Sequence, residues 1–223
     1  HPGYGFLAES PEFAKLCRGS NIRFIGPESQ VLAAVEDKIK LRETAASLGL
    51  PVLKFSPLIR SPLDLEACKS DFNYPIIIKP LKGSGGRSIR VADYRRDAQE
   101  QIANLLKREE NTRNGVFFEE FRPYARHIEI PFFRDVKDNI LFLPEIESSI
   151  QRRFQKIFQE SPATNLDERV RACLYERSQT LLKKIRYVGL GYVEFIVENG
   201  ECLFSEINPT FQINTLISEV HLP

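Results

Sequence analysis

The sequence predicts an α+β protein, because helical and short apolar strand patterns alternate in its first half and two β-hairpin patterns dominate its second half. The clearer hairpin is GYVEFIVENGECLFSEIN, in which apolar and polar residues alternate on either side of the turn Glu198-Asn199-Gly200. The other hairpin pairs ARHIEIPFFRD with NILFLPEIESS across the turn-rich residues 136–139. The 223 residues are enough for one large domain or two small ones.

The first fifty residues predict a strand and a long helix. NIRFIGP is a short apolar run that ends at Gly26-Pro27, which is typical of a strand followed by a turn. The segment QVLAAVEDKIKLRETAASLG has the spacing of one helix, which we expect Ser29 to cap and Gly49 to end. PVLKF, directly after this helix, predicts a second strand.

A compact α+β unit of about 70 residues follows, which is large enough for a small domain. SPLDLEACKSDF predicts a short helix with Ser61 as its cap and Pro62 in its first turn. YPIIIKP predicts a buried strand because its apolar run is continuous. IRVA and GVFFEEF predict strands on either side of the helix DAQEQIANLLKREE, and a later long helix is predicted from about Leu166 to Arg186.

Composition excludes two classes of partner. Thirty-one basic and thirty acidic side chains give a net charge of +1, so no overall field attracts nucleic acid or an anionic membrane. No apolar run approaches the roughly 20 residues of a membrane span. We therefore expect neither nucleic acid nor a membrane as a partner.

The cysteines and the first residue bear on the compartment and on the length of the natural chain. Cys17, Cys68, Cys173 and Cys202 are widely separated, which favours reduced thiols over a zinc site or disulfides. We therefore expect a reducing compartment, the cytoplasm or the mitochondrial matrix. The sequence begins at His1 and contains no methionine, which indicates a segment of a longer polypeptide.

Lys79 ends a predicted strand just before the glycine-rich stretch Gly83-Ser84-Gly85-Gly86. Glycines allow backbone N–H groups to approach phosphate oxygens, and a lysine neutralises phosphate charge. The arrangement predicts a phosphate-binding loop. The alternative is a glycine-rich turn beside a solvated lysine, because short glycine motifs also occur by chance.

Glu194 and Glu206 lie on the two arms of the last predicted hairpin, where the register could bring their carboxylates together. Like charges opposed on a sheet repel, so their pairing favours a bound cation. Asn208 would add an amide oxygen, and oxygen ligands of this kind suit Mg²⁺. The alternative is a pair of glutamates on a solvated face.

Two further segments are candidates for binding. Glu119 and Glu120 end the strand GVFFEEF, where the chain passes from the small unit to the larger one, and ligand clefts often form at such junctions. A carboxylate there could hold an adenine amino group or a ribose, although surface glutamates fit the spacing equally well. The second segment is the basic run QRRFQK, from Gln151 to Lys156. The alternative to a binding role is a solvated loop, because basic runs are usually surface features.

Taken together, these segments resemble the ATP-grasp enzymes and, more closely, the biotin carboxylase component of biotin-dependent carboxylases. HPGYGFLAES and FIGP are similar to the end of that family's N-terminal domain, and IIIKPLKGSGGRSIRV is similar to its lid loop. ARHIEI, QRRFQK and VEFIVENGECLFSEINP are similar to segments of its central domain. The resemblance implies an ATP-grasp fold, with a small α+β lid, a larger antiparallel-sheet domain and a remnant of an N-terminal α/β domain.

The resemblance also implies how the chain divides. Residues 1–37 are then the tail of the N-terminal α/β domain, and residues 38–51 are a connecting helix. Residues 52–119 form the lid, and residues 120–223 form a central domain that is incomplete at its C-terminus.

A nucleotide clamped between lid and central domain is a further implication of the resemblance. The phosphates of ATP are assigned to Lys38, Lys79, Gly83, Ser84, Gly85 and Gly86. Adenine and ribose are assigned to Glu119, the backbone near Glu120, His127 and Gln151. Mg²⁺, or Mn²⁺ in its place, is assigned to Glu194, Glu206 and Asn208.

In that family ATP phosphorylates bicarbonate to carboxyphosphate, which delivers CO₂ to biotin. Phosphoryl transfer of this kind needs positioning and charge neutralisation more than covalent catalysis. The resemblance assigns Arg152, Lys156 and Gln212 to the catalytic step. It also implies bicarbonate or another small carboxylate as substrate, a biotin carrier domain and a carboxyltransferase as partners, and a homodimer of the full-length protein.

The sequence departs from the family pattern Asn-Pro-Arg-x-Gln-x-Glu-His. Thr210 stands where the family has the arginine that stabilises the biotin enolate, and Asn214 stands where it has the general base. Thr215 replaces the histidine of the pattern, and Phe154 replaces a histidine expected beside the ribose. Because neither Thr nor Asn accepts a proton near neutral pH, we expect loss of the base alone to cost roughly 10² to 10⁴ in rate.

Three functions therefore remain open from the sequence. The first is an ATP- and Mg²⁺-binding ligase like biotin carboxylase, with its carboxylation step weakened by Thr210 and Asn214. The second is an ATP-grasp ligase that joins another carboxylate to an amine. The third is a nucleotide-binding module without catalysis.

Overall fold

A computed structural model of the chain describes residues 1–5, 7–61, 63–64, 68, 72–82 and 88–219. It confirms the α+β class, with helices beside antiparallel sheets. The described residues fall into two compact units: residues 1–52, 125–150 and 156–223 form the first, and residues 53–124 and 151–155 form the second. Most of the helix predicted for SPLDLEACKSDF lies outside the described residues.

Helices and strands have the following bounds. Helices cover Pro11–Gly19, Ser29–Glu36, Lys38–Ser47, Arg95–Leu106, Glu109–Asn114, Glu168–Lys184 and Thr215–Glu219. Strands cover β1 (Ile76–Pro80), β2 (Arg90–Ala92), β3 (Val116–Glu120), β4 (Arg126–Arg134), β5 (Ile140–Phe142), β6 (Ile146–Glu147), β7 (Gln151–Arg152), β8 (Gln155–Lys156), β9 (Gly189–Glu198) and β10 (Glu201–Asn208). The helices in the described ranges are all too short or too polar to cross a lipid bilayer.

The second unit is built on an antiparallel sheet with the strand order β2-β1-β3. The isoleucines of β1, residues 76–78, are at most 6% exposed, as predicted from their continuous apolar run. The helix Arg95–Leu106 buries Ala98, Ile102 and Leu105 in the same core. Their spacing of four and three residues places them on one helical face.

The first unit contains the two predicted hairpins in one antiparallel sheet. Its strand order is β10-β9-β4-β5, and the short β6 also pairs with β4. The helix Glu168–Lys184, close to its predicted bounds, buries Leu174, Leu181 and Leu182 in a core shared with Ile128 of β4. Side chains alternate along a strand, so Glu129, next to Ile128, belongs to the opposite face of the sheet.

The strand predictions for NIRFIGP and PVLKF are wrong. NIRFIGP forms bends and extended chain, in which Phe24 packs edge-to-face on Phe13 of the first helix with ring centroids 6.1 Å apart. Val52 and Phe55 of PVLKF make only single β-bridges. Pro57 follows two residues later and lacks the N–H that a continuing strand needs.

The single helix predicted after Ser29 is in fact two helices, Ser29–Glu36 and Lys38–Ser47. Asp37 separates them, because its Oδ1 accepts the N–H of Lys40 at 3.1 Å and so caps the second helix. Ser29 is the first residue of its helix rather than the cap. The apolar residues of the two helices follow one continuous helical spacing, so this spacing alone did not reveal the break between the helices.

Arg126 and Glu147 tie β4 and β6 to the segment that precedes the long helix. Arg126 Nε donates to Glu147 Oε1 at 3.0 Å, and its two terminal nitrogens donate to the carbonyls of Thr164 and Asn165 at 2.7 and 3.1 Å. Burial raises the pKa of the Glu147 carboxyl, but its hydrogen bonds to Arg126 and Ser149 outweigh burial, so the pKa lies below 4.5.

We expect Glu147→Gln to lower the free energy of unfolding by about 2 kcal/mol at pH 7, because Arg126 loses a charged hydrogen-bond partner. The folded pKa of Glu147 is depressed, so this contribution is present above pH 4.5 and is lost as the pH falls through the folded value. Urea unfolding at pH 7 and at pH 3 measures both effects. If Glu147→Gln lowered the free energy of unfolding equally at pH 7 and at pH 3, the role assigned to the Glu147 carboxylate would be contradicted.

Candidate functional site

Three glutamates lie side by side on neighbouring strands of the first unit. Glu194 of β9 is paired with Glu206 of β10 on one side and with Glu129 of β4 on the other. Side chains directly opposite on antiparallel strands have Cβ atoms about 4.5–5.5 Å apart. The predicted opposition of Glu194 and Glu206 is therefore present, and we call the three residues the carboxylate row.

The row depends on a β-bulge at Ser205. From the hairpin turn up to Phe204 and Phe195 the two strands pair without interruption, and beyond Ser205 the register shifts so that Glu206 opposes Glu194. If the first register continued, Glu194 would oppose Ser205, and Glu206 would point to the other face of the sheet.

Two ammonium groups lie against the row. Lys156 Nζ is 2.6 Å from Glu194 Oε1 and 2.8 Å from Glu129 Oε1, and Lys38 Nζ is 3.6 Å from Glu206 Oε2. Glu129 and Glu194 are only 1% and 9% exposed. Because carboxylates are costly to bury without compensating charge, the lysines are part of what allows the row to exist.

Burial and neighbouring charges shift the pKa values of Glu194 and Lys156. Burial raises the pKa of Glu194 from 4.5 to about 7. The Lys156 ammonium opposes this rise, whereas the Glu129 and Glu206 carboxylates add to it. Burial alone would lower the pKa of Lys156, but Glu194 and Glu129 outweigh burial and raise it above 10.5, so the lysine stays charged.

The donor set of the row fits a divalent cation that is shared with phosphate oxygens. Mg²⁺ is usually held by one or two carboxylates plus substrate phosphates rather than by a cage made only of protein groups. In keeping with this, no group of three or more His, Cys, Asp or Glu side chains in the described ranges is arranged to hold a metal by itself. Glu194 and Glu206 are the residues that would hold Mg²⁺ on this basis.

Asn208, the third predicted metal ligand, lies beside Glu194. Its Nδ2 donates to Glu194 Oε1 at 2.6 Å, so the amide presents its NH₂ group to the carboxylate and holds it in place. Glu129 was missed by the sequence analysis, because a glutamate that alternates with Ile128 and Ile130 is also typical of a solvated strand face. The sequence signal that could have identified Glu129 is its position on β4, two residues after the predicted site residue His127.

Two of the residues that depart from the family pattern are buried, and each contacts a glutamate. Thr210, 7% exposed, donates from Oγ1 to Glu9 Oε1 at 3.0 Å. Asn214, 6% exposed, directs Nδ2 toward Glu129 Oε2 at 3.5 Å. Gln212 accepts hydrogen bonds from Thr215 through its backbone carbonyl. Neither Thr210 nor Asn214 offers a base in this arrangement.

Three predicted site residues of the second unit lie on β1 and β3. Lys79, at the end of β1, forms an ion pair with Glu119 of β3, and their side chains are 15% and 1% exposed. Glu120 pairs with Arg122 at 3.6 Å. The predicted loop Gly83, Ser84, Gly85 and Gly86 lies outside the described residues.

The other predicted residues lie on β7 and β4. Gln151 and Arg152 form β7, where Gln151 is partly buried and Arg152 is exposed. His127 lies on β4, and its backbone N–H donates to Ser149 Oγ at 3.0 Å. Phe154, in place of the expected histidine, packs edge-to-face on Phe121 with ring centroids 6.1 Å apart. These contacts neither establish nor exclude the roles predicted for Gln151, Arg152 and His127.

Comparison with protein families identifies the class of the chain. The family described as "Carbamoyl-phosphate synthase L chain, ATP binding domain" matches residues 37–221, and "Biotin carboxylase, N-terminal domain" matches residues 1–32. The first match covers most of the chain, which therefore belongs to this ATP-binding family. The second match is confined to the first 32 residues, which are similar to the N-terminal domain of biotin carboxylase.

Relatives of known identity agree with this placement. The chain is 35% identical to biotin carboxylase 1 of Bacillus subtilis over 229 residues, which cover 99% of the chain and 50% of that protein. It is 36% identical to mitochondrial pyruvate carboxylase of Mus musculus over 226 residues, which cover 98% of the chain and 19% of that protein. The chain thus spans half or less of the length of these relatives.

Solved structures share the fold. A crystal structure of biotin carboxylase from Campylobacter jejuni in a β-γ-ATP complex superposes with a TM-score of 0.90 at 32% identity, covering 98% of this chain and 50% of that one. The biotin carboxylase domain dimer of 2-oxoglutarate carboxylase from Hydrogenobacter thermophilus, in complex with MgADP, ADP and bicarbonate, also has a TM-score of 0.90, at 30% identity, covering 99% of this chain and 49% of that one. The expected ATP-grasp fold of the biotin carboxylases is therefore confirmed.

We expect Lys79→Met to destabilise the second unit by about 3 kcal/mol, because it removes the cation beside the buried Glu119 carboxylate. Lys79→Met combined with Glu119→Gln is expected to recover at least half of the loss, since no buried charge then remains at the pair. Urea unfolding measures both, and Lys107→Met on an exposed helix end is the matched control. If Lys79→Met alone were as stable as Lys107→Met, the stabilising role of the Lys79–Glu119 ion pair would be contradicted.

Proposed function

We propose that this chain is the Mg²⁺-dependent nucleotide-binding part of an ADP-forming ligase of the biotin carboxylase type. The proposal is carried by the carboxylate row, in which Glu129, Glu194 and Glu206 lie side by side and are contacted by Lys156 and Lys38. Glu194 and Glu206 would hold a divalent cation, which would supply positive charge to these carboxylates and to the phosphates of ATP.

In this proposal the other predicted residues complete the nucleotide site. Lys38 and Lys79 neutralise phosphate charge, and the backbone of Gly83, Ser84, Gly85 and Gly86 approaches the phosphates. Adenine and ribose are held by Glu119, the backbone near Glu120, His127 and Gln151. The support for these roles is the residue-by-residue match to the family pattern and the membership of the chain in that family.

The proposed reaction begins with phosphoryl transfer. A bicarbonate oxygen attacks the γ-phosphorus of ATP, ADP leaves, and carboxyphosphate results. Lys156, Arg152 and Gln212 are assigned to orient the anionic substrate, and biotin on a carrier domain accepts the CO₂ in the family reaction. A carboxyltransferase and a second copy of the full-length protein are the further partners that this assignment entails.

A specific observation favours a second candidate, a ligase that couples another carboxylate to an amine. Thr210 and Asn214 are hydrogen-bonded to Glu9 and Glu129, and neither can take a proton near neutral pH. An ordinary carboxylic acid, with a pKa near 4, is already ionised at neutral pH and needs no base before phosphorylation. Retention of nucleotide binding without any turnover would instead point to a non-catalytic module.

Removal of either metal-binding carboxylate should weaken nucleotide binding only when metal is present. We expect Glu194→Gln and Glu206→Gln each to raise the Kd for MgADP about tenfold or more, the equivalent of about 1.4 kcal/mol. Calorimetry with the natural full-length protein, in Mg²⁺ and in EDTA, measures the difference. Glu201→Gln, on the exposed end of β10, is the matched control, and an equal loss in EDTA would exclude a metal-mediated effect.

Restoration of the family's residues distinguishes the candidates. If the chain descends from a biotin carboxylase, Thr210→Arg combined with Asn214→Glu should raise biotin- and bicarbonate-dependent ADP production by about 10² or more. The same assay with pairs of organic carboxylates and amines tests the second candidate in the wild type. ADP production that responds to no substrate in either protein would remove both enzymatic candidates.

A further inference from the structure

Lys156 contacts carboxylates of the carboxylate row on two different strands. Its Nζ lies within hydrogen-bonding distance of Glu194 on β9 and of Glu129 on β4. The Lys156 side chain is 27% exposed, whereas those of its partners are 12% and 1% exposed. The ammonium thus reaches from a partly exposed segment into a pair of buried carboxylates.

The Glu194 oxygen that Lys156 contacts is already well supplied with donors. Glu194 Oε1 accepts from Lys156 Nζ at 2.6 Å and from Asn208 Nδ2 at 2.6 Å. A carboxylate oxygen offers about two lone-pair positions. Coordination of a cation by this oxygen therefore requires that Lys156 or Asn208 withdraw.

Lysine is the member of this pair that is able to leave. Asn208 reaches Glu194 through a short side chain from β10, which is paired with β9. Lys156 reaches the row through a flexible four-carbon stem, and an ammonium is readily rehydrated as a point charge.

We propose that Lys156 is a built-in counter-ion that competes with the divalent cation for Glu194, so that coordination of a metal by Glu194 Oε1 requires the ammonium to leave this oxygen. The inference rests on the proposed function, because it concerns the same carboxylates. It assigns to Lys156 a role that is distinct from orienting an anionic substrate. The lysine compensates the row when metal is absent and sets how much free metal is needed to occupy it.

The direct test measures Mn²⁺ binding to the natural full-length protein in the absence of nucleotide. The binding is measured by the electron paramagnetic resonance of free Mn²⁺ and by calorimetry. We expect Lys156→Gln to bind Mn²⁺ about tenfold or more tightly than the wild type, since removal of a cation in direct contact with a ligand oxygen strengthens the site. Lys184→Gln, at the end of the long helix, changes the net charge equally and should bind as the wild type does.

A second readout follows from the charge that the variant leaves uncompensated. Loss of Lys156 leaves two buried carboxylates without their shared ammonium, so Lys156→Gln should unfold at a lower temperature than the wild type. Mn²⁺ should then raise its unfolding midpoint more than it raises that of the wild type. Adding Glu194→Gln to Lys156→Gln should abolish the gain in affinity, which locates the metal at the row.

The outcomes are decisive whether or not Lys156→Gln folds. Unchanged or weaker Mn²⁺ binding by a folded Lys156→Gln would overturn the inference. If that variant does not fold even in Mn²⁺, Lys156→Arg, which keeps the charge, should bind Mn²⁺ no more tightly than the wild type, and tighter binding would overturn the inference instead.

Failure of this inference and failure of the proposed function can be told apart. A wild type that binds no MgADP contradicts the proposed function, whereas the Mn²⁺ comparison between wild type and variants does not involve nucleotide. If MgADP binds as proposed while Lys156→Gln and Lys184→Gln have equal Mn²⁺ affinities, only the role of Lys156 as a counter-ion is excluded.

Discussion

The site depends on one electrostatic constraint: three carboxylates on adjacent antiparallel strands must be held together in a largely buried position. Backbone pairing fixes Glu129, Glu194 and Glu206 in one row, and the bulge at Ser205 is what places Glu206 on the same face as the other two. Such a row is unfavourable unless cations compensate it. Lys156 and Lys38 supply compensating charge, while burial and the neighbouring carboxylates raise the pKa of Glu194.

This constraint connects the fold to the proposed chemistry. The hydrogen-bonded sheet and the long helix packed on its other face keep the backbone positions of the three glutamates side by side. In the proposed function, a divalent cation held by Glu194 and Glu206 would relieve the repulsion between the carboxylates. By contrast, Thr210 and Asn214 are proposed to bear on the fate of the activated substrate, so we expect nucleotide binding and carboxylation to be separable.

Much of the architecture was predictable because it depends on local patterns. Alternation around the turn Asn199-Gly200 predicted the last hairpin, and the continuous apolar run of YPIIIKP predicted β1. Features set by tertiary contacts were missed. A slip of one residue at Ser205 leaves no hydrophobic signature, and the capping bond of Asp37 divides a helix whose spacing looks continuous. Glu129 became a candidate only when the pairing of β4 with β9 put it beside Glu194.

The most direct test of the carboxylate row as a cation site is a crystal structure of the natural protein grown with Mn²⁺ and a non-hydrolysable ATP analogue. Anomalous scattering identifies the metal independently of the surrounding density. The account predicts an anomalous peak within coordination distance, about 2.0–2.2 Å, of oxygens from Glu194 and Glu206, with phosphate oxygens completing the shell. Bound nucleotide with no anomalous peak at these two carboxylates would contradict it.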